Sequence, residues 1–513
     1  MRNALRLSGH IVTAGLLLST AGCGTIDYRT PPGAVRAVVP APEGRLHEVA
    51  TTLQSELKAG ESAFWLLDRA DFSFEARLAL ADQAVECLDI QYFIWEKDPT
   101  SRLYAARVLE AADRGVRVRI LLDDLTLNGQ DGEFAALAKH PNVSVRTFNP
   151  WHRRANLMRV FEFFARFGRL NHRMHNKTII ADGHFAILGG RNIGDRYFGL
   201  WQDFVQNDLD VMATGPAAME VADSFELYWE HALSYDIVDV ARPNAAAQEL
   251  EPTREFIRSV FVQEQEKLQN FPVERDSWNG FFDYIVNNYS AGVGRLGLDL
   301  PDVYEVRPTQ LYDPILDMLR VAEDRVLLST AYLVPDQEFV DLLEELVDRG
   351  VEVIILTNSL ASNNHMVAQM AFKPWRKKLL DIGVIVYEAR DDSVFISEYS
   401  TPPIEPDFLG LHVKAIVVDD SMSFIGSPNI DPRSLIINTE IGFFIDSEDL
   451  SGKLAALIER DISPDAAWRV YRNEKNRLRW ESSAGIVKKQ PALGFMQRVT
   501  AFFINLLPLD SQA

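Results

Sequence analysis

The chain is written twice, and that duplication limits what it can fold into. The run Asp113-Arg114-Gly115-Val116-Arg117-Val118-Arg119-Ile120-Leu121-Leu122-Asp123 returns as Asp348-Arg349-Gly350-Val351-Glu352-Val353-Ile354-Ile355-Leu356-Thr357-Asn358, identical at seven of eleven positions and displaced by 235 residues. Each copy follows a helical pattern (103–112 and 339–347), stops on a glycine and continues as an alternating Val/Ile strand. That is the helix-to-strand half of a βαβ unit. A second pair lies at nearly the same offset, 237 residues. His175-Asn176-Lys177-Thr178-Ile179-Ile180-Ala181-Asp182, followed by Gly189-Gly190-Arg191-Asn192, is matched by His412-Val413-Lys414-Ala415-Ile416-Val417-Val418-Asp419, followed by Gly426-Ser427-Pro428-Asn429. Both read His-x-Lys-x4-Asp-x6-Gly-(Gly/Ser)-x-Asn. Two independent features at almost one spacing indicate an internal duplication, and the fold class is α/β in two repeated halves.

Period-two geometry places His175 and Lys177 on one face of a strand, and likewise His412 and Lys414. Asp182-Gly183 is a hairpin-turn pair, so the chain folds back there and carries Gly190 and Asn192 toward His175. The same fold about Asp419-Asp420 carries Ser427 and Asn429 toward His412. Each half then collects an imidazole, an ammonium, an amide and accessible backbone N–H groups. That set suits a phosphoryl group, whose oxygens need cations and donors. One half supplies only one histidine of this kind. Two halves related by a pseudo-two-fold supply a nucleophile on one side of the phosphorus and an acid on the other.

The N-terminus reads as an address. Arg2 and Arg6 precede a short apolar run, residues 11–18, and then Ser19-Thr20-Ala21-Gly22-Cys23. The run is too short to span a bilayer, and the pattern is that of an export signal. Residues 24–60, with Pro31, Pro32, Pro40 and Pro42, read as an extended tether. The remaining divisions are a first half at 61–235, a connecting segment at 236–300, a second half at 301–470 and a tail at 471–513 with an amphipathic helix. The chain has 73 acidic against 52 basic residues, net charge −21. It therefore lacks the diffuse positive field that holds nucleic acid through phosphates, and no nucleic-acid partner is expected. Cys23 and Cys87 allow at most one disulfide; Cys87 lies in an apolar stretch and reads as a small core residue.

The paired motifs resemble the HKD motifs of the phospholipase D superfamily, over residues 61–470. Arg173-Met174-His175-Asn176-Lys177, Gly189-Gly190-Arg191-Asn192-Ile193-Gly194-Asp195, Asp208-Leu209-Asp210-Val211 and Ser427-Pro428-Asn429-Ile430-Asp431-Pro432-Arg433-Ser434 are similar to bacterial cardiolipin synthases of the C type. The stretch 362–372, around Asn363, Asn364 and His365, departs from that pattern. The resemblance implies α/β/α sandwich halves and a ping-pong phosphatidyl transfer that uses no metal or other cofactor. His175 is then the nucleophile that becomes a phosphohistidine and His412 the acid/base. Lys177, Lys414, Asn192 and Asn429 hold phosphoryl oxygens, with Gly190 and Ser427 beside them. Glu440, eleven residues past Asn429, orients a histidine in this family, and aligning Asn438-Thr439-Glu440-Ile441 with Gln206-Asn207-Asp208-Leu209 nominates Asp208 as its counterpart. Asp182 and Asp419 complete the motifs, although their phase along the strand suits structure more than chemistry. Ending at Ala-Gly-Cys, the N-terminus is similar to a bacterial lipoprotein signal, which implies acylation of Cys23 and an anchored envelope protein facing the periplasm. Phosphatidylglycerol is the implied substrate, with phosphatidylethanolamine as a candidate second one.

Residues 157–170 place Arg159, Glu162, Arg166 and Arg169 on one stripe and Phe161, Phe163, Phe164 and Phe167 on much of the rest; 495–507 repeats the apolar three-and-four spacing. Such helices either lie on an anionic membrane or dock on the protein's own core. Gly292-Val293-Gly294-Arg295-Leu296-Gly297 matches G-x-G-x-x-G without an opening helix and reads as a loop. His172 and His175 share a spacing suited to a metal, but Lys177 beside them repels a cation, so no metal site is expected. Three functions remain in view: a transferase making cardiolipin, a hydrolase of phospholipid or nucleic acid using the same residues, and a non-catalytic envelope lipoprotein. Intact residues in both motifs argue against the last.

Overall fold

The computed structural model describes residues 39–504, apart from 128, 152–161, 164, 272–277, 302–309 and 364. The export signal with Cys23, residues 157–161 and 164 of the 157–170 stripe, and Asn364 lie outside the described residues. Among the described residues the first helix is α1 (Arg45–Glu56), whose Leu46, Val49, Ala50 and Leu53 are buried against the first half. The expected tether is therefore helical over these residues: apolar positions three and four apart outweigh the prolines that lie before them.

In the first half, β1 (Ser62–Leu67), α2 (Ala70–Gln83), β2 (Cys87–Tyr92), α3 (Pro99–Asp113), β3 (Arg117–Asp123) and β4 (Val143–Phe148) come first. β5 (Thr178–Ala181), β6 (Phe185–Gly189), β7 (Val205–Asn207), β8 (Asp210–Thr214), α4 (Pro216–Trp229) and β9 (Ser234–Asp236) follow. β2, β3 and β4 are parallel neighbours, as crossover helices require; β5, β6, β8 and β1 continue the sheet antiparallel. α3 starts where Asp98 accepts from the Ser101 backbone N–H at 3.0 Å and Pro99 fills the first turn. It ends at Gly115, at φ +102°.

The connecting segment contributes α5 (Leu250–Gln263), α6 (Asn279–Asn287) and β10 (Ser290–Leu298). The glycine-rich run expected to be a loop is thus a strand. Its glycines fit close packing: a Cβ on Gly292 would lie 2.6 Å from the Asp446 carbonyl, and one on Gly294 2.6 Å from the Phe64 ring. Without bulky alternation, the run carries no strand signal of its own.

The second half repeats the first. α7 (Tyr312–Arg320), β11 (Arg325–Thr330), α8 (Gln337–Asp348), β12 (Glu352–Asn358), α9 (Met366–Asp381) and β13 (Ile385–Ala389) are followed by β14 (Leu409–Leu411), β15 (Lys414–Val418), β16 (Met422–Gly426), β17 (Ile441–Asp446) and α10 (Glu448–Asp461). The tail adds β18 (Ala467–Arg472), β19 (Leu478–Ser482), β20 (Gly485–Val487) and α11 (Phe495–Ile504), so the second sheet extends past residue 470. The order β8-β6-β5-β2-β3-β4-β9 in one half matches β17-β16-β15-β11-β12-β13-β18 in the other. β10 belongs to both: residues 290–292 pair with β1 and residues 293–298 with β17, giving one 18-stranded sheet.

Between the halves lies a shared core in which Phe64, Leu188, Val211, α4 and α10 meet Ala415, Ile441 and Phe443. α2 and α3 cover the outer face of the first half, and α7, α8 and α9 that of the second. Each half is an α/β/α sandwich, and the α/β class and twofold repeat expected from the sequence hold. Cys87 is buried, and burial pushes its thiol up to about 12. No helix among the described residues is long and apolar enough to cross a membrane.

Candidate active site

The two motifs meet across the pseudo-two-fold. β7 pairs in parallel with β14, and in the equivalent place Met174 bridges Thr439. The His175 N–H donates to the Thr439 carbonyl at 2.9 Å, and the His412 N–H to the Asn207 carbonyl at 2.6 Å. His175 and Lys177 are therefore not in the β5 ladder, as the period-two pattern suggested, but in the extended run before it, because the run is claimed by the other half.

The same crossing brings the carboxylates. His175 Nδ1 lies 2.8 and 3.0 Å from the Glu440 oxygens, and His412 Nδ1 2.6 Å from Asp208 Oδ2. Each histidine is thus held by an acid from the opposite half. Both carboxylates have no exposed surface, whereas the histidine side chains retain 13% and 10%, so the rings stay accessible from solvent. Desolvation raises Glu440 and Asp208, but the facing imidazoles and lysines outweigh it and hold both low, in the ionised state. An ionised carboxylate only accepts, so Nδ1 of each ring carries the proton and Nε2 presents a lone pair. Burial pushes both histidines down to about 4, Glu440 and Asp208 working against that shift.

Lys177 and Lys414 each donate to the carbonyl of the histidine two residues earlier. Burial pushes Lys177 down to about 7 and Lys414 to about 8. Lys414 also depresses His175, and Lys177 depresses His412, so all four groups share one field. Glu440, Asp208 and Asp210 favour both ammonium groups but do not offset their burial, a setting that suits a phosphoryl anion.

The other expected site residues fall less evenly. Asn192 accepts from the Ile94 N–H and donates to the Tyr197 hydroxyl, while the buried Asn429 Oδ1 has no partner among the described residues. The Ser427 hydroxyl donates to Glu440. Gly190 backs onto Asp208: a Cβ there would lie 2.1 Å from Oδ1. Asp182 and Asp419 sit at the opposite ends of β5 and β15 from the lysines, roughly 13 to 17 Å of strand away. Asp182 accepts from the N–H groups of Val85, Glu86 and Cys87, and Asp419 from those of Glu323, Asp324 and Arg325. Their inclusion among the reacting residues is corrected here: each carboxylate is consumed in pinning the start of a neighbouring strand.

Several contributors were not read from the sequence. Asp299 accepts from the N–H groups of Glu440 and Leu311, fixing the backbone of the acid behind His175. Phe93 stands edge-on to His175 at 5.0 Å; Tyr197 and Tyr332 flank His412 at 5.8 and 6.5 Å. Beneath the first motif, buried Asp210 binds Arg77, Arg191 and Ser73. Arg191 and Asp210 lie in stretches that carried a signal; Ser73 and Arg77 come from α2, and Asp299, Phe93 and Tyr332 from loops.

A duplicated α/β sandwich with two crossed His–carboxylate pairs and two lysines defines a phosphodiester-handling enzyme. The sequence matches the family described as cardiolipin synthase, PLD-like domain, over residues 78–229 and 315–462. It is 35% identical to cardiolipin synthase C of Escherichia coli (strain K12) over 468 residues, 88% of this chain and 96% of that one. It is 25% identical to a cardiolipin synthase of Oceanobacillus iheyensis over 80% of this chain and 71% of the relative. The fold is similar to phosphatidylserine synthase from Haemophilus influenzae Rd KW20, with a TM-score of 0.55 at 13% identity, covering 80% of this chain and 91% of that one. The chain belongs to the cardiolipin synthase family of the phospholipase D superfamily, and it is a phosphatidyltransferase.

Proposed function

We propose that the protein makes cardiolipin by transferring a phosphatidyl group between phospholipids through a phosphohistidine on His175. The observation that carries this reading is the crossed orientation of the two imidazoles, each anchored through Nδ1 by the other half's carboxylate. His175 Nε2 attacks the phosphorus of phosphatidylglycerol, the bond to the head-group oxygen breaks, and His412 gives its Nε2 proton to that oxygen. The bound phosphodiester's negative charge favours the imidazolium, raising His412 enough to hold that proton. His412 then takes the proton of an incoming hydroxyl, whose oxygen displaces His175 from phosphorus. Lys177, Lys414, Asn192 and Asn429 stabilise the charge on the phosphoryl oxygens. The chemistry calls for no metal, since the lysines supply the positive charge.

The N-terminal sequence supports export, acylation at Cys23 and attachment to a membrane surface facing the periplasm. Incubation with labelled phosphatidylglycerol, with and without phosphatidylethanolamine, tests the function. Cardiolipin is the expected product, lost in His175→Ala; phosphatidic acid alone would favour hydrolysis, and no turnover would leave a non-catalytic lipoprotein.

A further inference from the structure

Four residues past each motif asparagine stands an arginine at the same repeat position. Asn192-Ile193-Gly194-Asp195-Arg196-Tyr197 aligns with Asn429-Ile430-Asp431-Pro432-Arg433-Ser434 at the motif offset, and Trp95 bridges Ile193 as Leu333 bridges Ile430. The two arginines are treated differently. Arg196 is ion-paired to Glu96 and lies 5.3 Å over the Tyr197 ring. Arg433 is half-buried and donates only to neutral oxygens: Asn171 Oδ1 at 3.2 Å, the Asn171 carbonyl at 3.1 Å and Asn438 Oδ1 at 3.2 Å. Among the described residues it forms no ion pair. The nearby carboxylates are engaged elsewhere, Asp431 with the Ser434 N–H and Glu440 with His175 and Ser427. Burial and neighbouring Arg173 work against the Arg433 charge, while Asp431, Asp123 and Glu440 favour it through space without outweighing burial.

A half-buried guanidinium with no carboxylate in direct contact can still take a charged partner, and its planar fork fits phosphate. The position ties it to the reaction. Its field reaches His172 and His365, and the His365 ring lies 5.4 Å from Tyr332, which flanks His412. Ser434 stands where the first half has Tyr197, so the second-half position carries a small side chain instead of a ring. On the same turn Ile436 is 50% exposed, and Phe167, whose carbonyl accepts from the Asn171 N–H, is 40% exposed. Apolar surface beside a buried cation is the layout that a phospholipid's chains and phosphate require.

We propose that Arg433, with His172 and His365 beside it, holds the phosphate of the acceptor phospholipid. The inference rests on the transfer reading above. A glycerol head group separates the attacking hydroxyl from its own phosphate, so anchoring that phosphate delivers the hydroxyl toward His412. The proton passes to His412, the new O–P bond forms and the His175 N–P bond breaks. Arg196, neutralised by Glu96, takes no such part.

The test offers the enzyme two acceptors at once, phosphatidylglycerol in mixed micelles and the neutral alcohol 1-butanol, and measures the ratio of cardiolipin to phosphatidylbutanol. In Arg433→Gln the ratio falls about tenfold, the loss expected for one charge-assisted hydrogen bond. Arg433→Lys falls between, and Arg196→Gln stays within about twofold. An unchanged ratio in Arg433→Gln overturns the proposal. A second measurement needs no turnover: calorimetry with water-soluble glycerophosphoglycerol, expected to bind about tenfold more weakly to Arg433→Gln. Equal affinity, or no binding to the unaltered protein, overturns the subsite. Arginine-dependent binding without any turnover supports the subsite and refutes the transfer reading.

Discussion

Replacing Glu440 by glutamine tests the site most directly. The substitution keeps size and shape but removes the charge that accepts from His175 Nδ1 at 2.8 Å in a fully buried setting. Losing a charge-assisted hydrogen bond of this kind costs about 1.5–3 kcal/mol, or roughly 10- to 150-fold in rate. A second effect adds to it. The glutamine amide can donate to Nδ1, which moves the ring proton to Nε2 and blocks the nucleophile; a wrong tautomer at a reacting imidazole costs about 10⁴-fold. The expected fall in turnover of labelled phosphatidylglycerol therefore lies between about 10² and 10⁴, with acid-labile phosphoenzyme lost in parallel. Asp208→Asn should fall by a similar factor, since His412 serves as the acid when the phosphoenzyme forms and as the base when it is resolved. Unfolding midpoints separate these effects from instability. A Glu440→Gln protein that folds and retains turnover within about fivefold of the parent refutes the anchored-nucleophile argument.

Other outcomes follow from the same geometry. The pH profile of kcat/KM should fall more steeply above about 7 to 8, as Lys177 and then Lys414 lose their protons; an unchanged slope across that range contradicts the lysine assignment. Asp182→Ala strips acceptors from three backbone N–H groups and should lower stability by about 3 kcal/mol in urea titration, with kcat/KM changed less than about tenfold. Gly190→Ala places a methyl 2.1 Å from Asp208 Oδ1, displacing the anchor of His412; a loss of about a hundredfold in turnover is expected, and an unaffected enzyme would show that Asp208 does not orient the ring.

The repeat and its motifs were legible because they are local: a glycine stop, a period-two strand and a fixed spacing survive duplication as text. Lys177 and Lys414 could be nominated that way. What the text could not express is contact between distant segments. Asp299, Phe93, Tyr197 and Tyr332 reach the site from separate loops and share no pattern with the motifs. The glycines of β10 read as a loop because their value lies in what presses against them, Phe64 and the Asp446 backbone. The α1 helix was hidden by the prolines ahead of it, although Leu46, Val49 and Leu53 already spelled a buried face. Difference between the halves was hardest to see: Arg196 and Arg433 occupy one repeat position, and only the neighbour Glu96 tells them apart.

The strand β10 also bears on how such a molecule can be taken apart. Its first three residues complete one sheet and its last six the other, so a cut anywhere in it strips a neighbour from β1, from β17 or from both. Either half produced alone would carry a raw ribbon edge along with an unclad apolar flank, a combination that invites clumping. Gene fusion here works as a ratchet: once one ribbon serves two sheets, neither partner returns to independent life.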